Sequence, residues 1–330
     1  MATIAQWDIN NECNLNCKHC RVSEKNDNEK MSLNEAKNLL AQCWYNGITM
    51  LNLSGGEPFL RKDIFDILDY AGKFEDIVIT TNGTLLDEDK CKKLSTYNNI
   101  KLSISLDGLE ETHDKFRRRK GAFKKVIDTL QLLNKYNIKY AIKYTLSKET
   151  AKDAVELLNF IGKMGAKEFN VRRVIVAGNA SKDMVLSNEE YKNIIRELIQ
   201  NCRKLDVKFR TGDPLLIPIF SEVWGIDIKN DDLSKIYAGC QAGDEIIYID
   251  YKGNVGACSY IPKFADNIKD KSLDEILKNN KLFIDLREYK NKLEGKCNKC
   301  TYKMICGGCR ASALALKKSL FAEDPLCLAN

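Results

Sequence analysis

The chain has 330 residues, 44 % of them hydrophobic and 30 % charged, with a formal net charge of +6, which suits a globular protein of about two domains. No apolar run approaches the roughly 20 residues of a membrane span. MATIAQWDINNEC lacks the basic and apolar regions of a secretory signal, so the expected location is the cytoplasm, with no membrane partner. The basic run Arg117-Arg118-Arg119-Lys120 reads as a solvated helix entrance; nucleic-acid binding would need a broader stripe with interleaved aromatics.

In chain order, strands are expected at 4–9 (IAQWDI), 48–53 (ITMLNL), 76–80 (DIVIT), 100–106 (IKLSISL), 139–145 (KYAIKYT) and 169–175 (FNVRRVI). Helical patterns lie between them near 32–46, 62–73, 86–96, 121–135 and 151–164, with another at 188–204. Ser32…Glu35 and Ser187…Glu190 have capping-box spacing. This alternation implies right-handed βαβ units and a parallel sheet. The fold class is α/β: a partial (β/α)6 TIM-like barrel over residues 1–205, with a doubly wound sheet as the alternative. The rhythm then breaks. Residues 206–237 read as a bridging segment, and 238–330 as a small cysteine-rich α+β domain. That domain holds a hairpin at 245–250 and 254–258 and a helix capped by Ser272…Glu275.

Thirteen cysteines against two histidines set the chemistry. Disulfides are disfavoured in a reducing compartment, so metal or catalytic duty is the better reading. Histidine-rich zinc or non-haem iron sites are excluded, and a general base must be Asp, Glu, Tyr, Lys or Cys. CNLNCKHC places Cys13, Cys17 and Cys20 at C-x3-C-x2-C spacing after the first strand. A closed zinc site wants four ligands. Three thiolates can instead hold three irons of a [4Fe–4S] cube and leave the fourth iron open to an amine and a carboxylate. Gly55-Gly56-Glu57-Pro58 follows strand two, Asn82-Gly83 follows strand three, Ser105 and Asp107-Gly108 follow strand four, and Arg173 lies in strand six. In a parallel barrel these share the carboxyl-end face, where such folds place their chemistry.

The three-cysteine motif, GGEP and SISLDG…HDKFR together resemble the radical S-adenosylmethionine (SAM) superfamily. That resemblance implies reductive cleavage of SAM to a 5′-deoxyadenosyl radical, which abstracts hydrogen from a substrate. It assigns Cys13, Cys17 and Cys20 to the cluster and His19 to the neighbourhood of the adenine. Gly55, Gly56 and Glu57 would receive the methionine amino group, and Ser105 and Arg117 its carboxylate. Arg173 resembles a strand-six arginine near SAM, with a structural salt bridge as the other reading, and Asp107 reads as a turn residue.

Cys240, Cys258, Cys297, Cys300, Cys306, Cys309 and Cys327 form a second series. C-x2-C-x5-C-x2-C alone could be a zinc ribbon, but the whole series resembles the SPASM domain with two auxiliary [4Fe–4S] clusters, three clusters in all. By that pattern Cys297, Cys300, Cys306 and Cys327 complete one cluster. Cys240, Cys258 and Cys309 hold the other, which lacks a fourth cysteine. Cys43, Cys91 and Cys202 read as buried small hydrophobes.

Peptide-modifying relatives carry an aspartate or a cysteine after the second cysteine of this series, where this chain has Ser259; neither role transfers, which weakens sulfatase maturation and epimerisation. Asp244 and Glu245 are the candidate base or polar substrate contacts, with Ser259 as the third candidate catalytic residue; an exposed hairpin entrance is the plain alternative for the two acids. The leading expectation is a radical SAM oxidoreductase that acts on a ribosomally made peptide, its leader held by a separate protein or directly by the barrel. The alternative is radical modification of a small molecule or cofactor precursor, such as a haem-pathway side chain. A flavodoxin- or ferredoxin-type protein is the expected electron donor.

Overall fold

The computed structural model describes residues 2–22, 29–224 and 239–329. One ten-stranded sheet organises it, with spatial order β10-β9-β8-β1-β2-β3-β4-β5-β6-β7. The strands are β1 Ile4–Asp8, β2 Met50–Ser54, β3 Asp76–Thr81, β4 Ile100–Ser105, β5 Tyr140–Leu146, β6 Glu168–Arg173, β7 Lys208–Arg210, β8 Ile246–Ile249, β9 Asn254–Gly256 and β10 Phe264–Asn267. Strands β8 and β1 to β7 are parallel, and β8, β9 and β10 form an antiparallel meander. The sheet does not close, so the architecture is a partial barrel with the cysteine-rich segment continued from its first edge.

Helices α1 Leu33–Tyr45, α2 Ile64–Tyr70, α3 Glu88–Leu94, α4 Glu110–Arg117, α5 Ala122–Lys135, α6 Ala154–Lys163 and α7 Asn188–Lys204 accompany the parallel strands. Helix α8 Ile217–Trp224 precedes the cysteine-rich segment, which contributes α9 Leu273–Asn279, α10 Lys281–Arg287, α11 Tyr289–Lys292, α12 Gly295–Asn298 and α13 Arg310–Lys317. Both capping boxes form: Ser32 and Ser187 each accept from the backbone N–H three residues on, and Glu35 and Glu190 reach back to the cap.

Strands buried on both faces ordinarily read as unbroken apolar runs. These do not. The helix-facing row (Ala5, Trp7, Leu51, Leu53, Ile77, Ile79, Leu102, Ile104, Ile142, Phe169 and Val171) is buried hydrocarbon. The opposite row carries Gln6, Thr80, Ser105, Lys143, Thr145 and Arg172, and it lines a cavity. Period-two alternation thus gives one face for packing and one for polar chemistry.

Two local readings change. The basic run is a helix exit: Arg117 ends α4 and is buried, and Arg118 is the left-handed cap. Within the expected bridge, Lys208–Arg210 pairs in parallel with β6. Residues 225–238, which include the rest of that bridge and the first residue of the expected C-terminal domain, lie outside the described residues, as does Asn330. No helix among the described residues is long and apolar enough to cross a membrane.

Candidate functional site

The loop after β1 carries Cys13, Cys17 and Cys20, and backbone contacts hold it from three sides. Gly56 N donates to Asn10 O at 3.0 Å, Glu57 N to Glu12 O at 2.7 Å, Lys18 N to Phe116 O at 3.0 Å and Asn179 N to Cys20 O at 2.8 Å. Only glycine permits the first of these approaches. A Cβ at Gly55 would lie 2.2 Å from Asn10 O, and one at Gly56 2.0 Å from Glu12 O. Gly178 plays the same part on the other side, at φ +58° and with a Cβ position 2.4 Å from Cys20 O. The Lys18–Glu149 ion pair at 2.7 Å adds a side-chain tether.

Cys13, Cys17, Cys20, His19, Gly55, Gly56, Ser105, Arg117 and Arg173 all line one cavity of about 140 Å³. His19 stacks on Phe116, ring centroids 4.4 Å apart. Burial holds it neutral by pushing its pKa down to about 3, against the pull of Asp107. Burial also pushes the Cys17 thiol up, and the Arg117 guanidinium opposes that shift. Arg117 Nη1 donates to Cys17 Sγ at 3.6 Å, and its Nη2 pairs with the fully buried Asp107. Asp107 also accepts from Thr145 N at 2.7 Å, and its own N–H donates to His113 Nδ1 at 3.1 Å. The turn residue is therefore the counter-ion of the arginine beside the cysteines.

Glu57 is occupied differently. Its buried carboxylate accepts from Thr81 Oγ1 at 2.6 Å, Asn82 N at 2.8 Å and Phe59 N at 3.2 Å, which ties the β2 loop to the β3 loop; it does not line the cavity. Arg173 spends its guanidinium on Asp213 at 3.3 Å, the Tyr191 ring at 4.0 Å and Leu326 O at 3.1 Å. Arg173 thus makes the expected salt bridge and also lines the cavity of the three cysteines.

The second cysteine series divides between two hollows. Cys240, Cys258 and Cys309 line a cavity of about 310 Å³; Cys297, Cys300, Cys306 and Cys327 line a separate, smaller one. Asp324, buried between them, accepts from Cys309 N at 2.7 Å and Leu326 N at 2.9 Å, and Asn188 donates to Cys327 O at 2.8 Å. Among the described residues no three His, Cys, Asp or Glu side chains converge on a single ion. Thiols spread around a hollow suit a cluster of several metals, whose ligands sit on different irons. In the first cavity His19 Nδ1 and Arg117 Nε are buried with no hydrogen-bond partner, so a polar ligand beside the cluster also fits. Cys43, Cys91 and Cys202 are buried, and burial pushes their thiols up to about 12, 11 and 12.

The structure does not bring Asp244, Glu245 or Ser259 to either cavity. Gly243 turns the chain at φ +78°, leaving Asp244 exposed; Glu245 accepts from Gln241, and its carbonyl pairs with Thr3 and Ile4. Ser259 Oγ is buried without a partner. The next residue, Tyr260, lines both cavities, as do Gln6 and Arg172. Sequence reasoning passed over Lys143, Arg172 and Tyr260. The alternation within YAIKYTL marks Lys143 and Thr145 as one face of β5, and that was the available signal.

Comparison with known proteins agrees with this geometry. The radical SAM superfamily model matches residues 7–161, and the model of SPASM, an iron–sulfur cluster-binding domain, matches 240–301. The AdoMet-dependent heme synthase of Methanosarcina barkeri is 31 % identical across 98 % of this chain and 95 % of its own length. The chain belongs to the radical SAM superfamily. It is a radical SAM/SPASM enzyme, with SAM and iron–sulfur clusters as cofactors. The subtilosin biosynthesis protein AlbA of Bacillus subtilis is 27 % identical over 95 % of this chain and 68 % of its own length. In fold, Streptococcus suis SuiB bound to precursor peptide SuiA superposes with a TM-score of 0.84 at 20 % identity, over all of this chain and 76 % of SuiB.

Proposed function

We propose that this radical SAM enzyme modifies a haem precursor by oxidative removal of a side-chain carboxylate. The observation that carries this reading is the end-to-end relationship, at 31 % identity, to a protein named as a heme synthase. It reverses the order of the expectations above, because the peptide-associated relative AlbA is less similar and is covered over a smaller share of its length. The polar face of the sheet supports the same reading, since the cavity presents cations to an incoming acid.

In this proposal Cys13, Cys17 and Cys20 hold the cluster that engages SAM. His19, Gly55, Gly56 and Ser105 line the space for SAM, and Arg117 steadies Cys17. Cys240, Cys258 and Cys309 hold a second cluster, and Cys297, Cys300, Cys306 and Cys327 a third. Bound there, SAM and the reduced cluster supply hydrogen-atom abstraction. A flavodoxin- or ferredoxin-type donor supplies the electron that cleaves SAM. One hydrogen atom of the side chain ends in 5′-deoxyadenosine, and the second electron, released with carbon dioxide and a proton, would leave through the clusters held by the C-terminal cysteine sets.

The test is anaerobic incubation of the reconstituted protein with SAM, dithionite and an iron porphyrin bearing propionates. The expected product has lost carbon dioxide and two hydrogens per modified side chain, with 5′-deoxyadenosine formed alongside. An unaltered porphyrin, with 5′-deoxyadenosine formed only in the presence of a peptide, would return the peptide reading to first place.

A further inference from the structure

Among the described residues, two cations on the inner face of the sheet have no carboxylate partner. Thr145 on β5 registers with Arg172 on β6, so Lys143 lies one pleat back on the same face. Both cations line the cavity of Cys13, Cys17 and Cys20, and Arg172 also lines that of Cys240, Cys258 and Cys309. The neighbouring arginines are all neutralised: Arg21 by Asp8 at 2.5 Å, Arg117 by Asp107 and Arg173 by Asp213. Arg172 has instead the Tyr260 ring, 5.7 Å from its guanidinium carbon. Among the described residues, Lys143 and Arg172 make no salt bridge.

A half-buried cation with no counter-ion is unfavourable, and these two, both half-buried, sit on adjacent strands where each raises the cost of the other. Burial, followed by repulsion from Arg172, Arg21 and Arg117, pushes Lys143 down to about 7. An anion placed between Lys143 and Arg172 relieves both. Beyond Arg172 the lining includes the apolar side chains Ile175, Leu215, Ala242 and Ile246, beside the polar Thr211, Asp213 and Gln241. A ligand matched to this surface has an apolar body and an acidic arm.

We propose that Lys143 and Arg172, with the Tyr260 hydroxyl, form the subsite for a carboxylate of the substrate, and that the substrate's apolar body rests against Ile175, Leu215, Ala242 and Ile246. The position of Arg172, between the two cavities and beside the cysteine-rich segment, assigns the carboxylate to the substrate and not to SAM. The proposal rests on the haem-precursor reading, which supplies such a molecule, and it specifies which residues grip it.

The experiment titrates the reconstituted holoenzyme with a tetracarboxylate iron porphyrin and with its tetramethyl ester, following the Soret band. SAM binding is measured in parallel. In Arg172→Gln and Lys143→Met the tetracarboxylate binds about tenfold or more weakly, the worth of a charge-assisted hydrogen bond. Arg172→Lys recovers part of the loss, and the ester binds all four proteins alike. SAM affinity changes far less than porphyrin affinity. Lys143→Met also unfolds no more readily than wild type without ligand, because it removes a half-buried charge that has no counter-ion.

Unchanged tetracarboxylate binding in both variants overturns the subsite. So does a loss of SAM affinity as large as the porphyrin loss, which would give the pair to SAM. If wild type binds neither porphyrin, the haem-precursor reading falls by itself, and the subsite is judged with 3-phenylpropionate. Thermal stabilisation of wild type by that acid, absent in Arg172→Gln, supports the subsite; equal behaviour of the two proteins overturns it.

Discussion

Arg117 donates to the sulfur of Cys17 from one terminal nitrogen and pairs with Asp107 through the other. A buried cation hydrogen-bonded to a cluster thiolate favours the state with the extra electron. Arg117→Gln should therefore lower the midpoint potential of the cluster on Cys13, Cys17 and Cys20. The expected shift is about 60 mV or more, the one-electron equivalent of about 1.4 kcal/mol. Arg117→Lys keeps the charge and should shift it less. Removing the arginine alone leaves Asp107 charged and buried, so Arg117→Gln is best read together with Asp107→Asn. A redox titration followed by electron paramagnetic resonance checks this, and an unmoved potential refutes it.

The separation of the cysteines into different hollows predicts independent loss. Cys258→Ala should remove about four irons and leave the set containing Cys300 loaded; Cys300→Ala should do the reverse. Cys17→Ala should abolish 5′-deoxyadenosine formation outright. Iron and sulfide analysis with Mössbauer spectra distinguishes these outcomes. A variant in either auxiliary set that strips both would contradict the division, provided its far-ultraviolet circular dichroism matches wild type.

Gly56 is a packing requirement more than a turn requirement. The alanine methyl would overlap Glu12 O at 2.0 Å, so the loop before Cys13 must move. Gly56→Ala is expected to cost about 1–3 kcal/mol, as other overpacked sites do, and to lower iron incorporation by displacing Cys13. Gly72, whose Cβ position is open, is the control, and Gly72→Ala should load iron normally. Thermal unfolding and iron content report the two effects separately.

The strands that alternate and the helices with caps were legible residue by residue, because period two and the Ser…Glu box are local signals. What depended on distant neighbours was not. β7 is three residues, Lys208–Arg210, and exists because β6 offers an edge. α4 begins at Glu110 with no side-chain cap, so only its acidic first turn and basic last turn announce it. Ser259 and Tyr260 differ by one position, yet only Tyr260 reaches the cavities, and no periodic strand surrounds them to decide the parity. The cysteines could be named from spacing. The commitment of Glu57 to Thr81 and Asn82, and of Arg173 to Asp213, required the folded neighbours.

Glu35 joins the barrel to the cysteine-rich segment. It completes the α1 capping box and pairs with Lys269 at 2.8 Å. The Lys269 hydrogen bond, with those from Ser32, pulls its pKa down to about 2, against about 4.3 for an unfolded chain. The folded state therefore prefers the charged form. The stabilisation is fully present above about pH 4.3 and is lost as pH falls through about 2. The side chain is 40 % exposed, so solvent screens the ion pair, and the cap sets the expected magnitude of about 1 kcal/mol. Glu35→Gln should lower the urea midpoint at pH 7, and the gap from wild type should narrow by more than half at pH 3. Comparison at matched pH cancels the general acid sensitivity of the clusters. A gap that stays constant, or widens, between pH 7 and pH 3 would show that the carboxylate charge contributes nothing to the join.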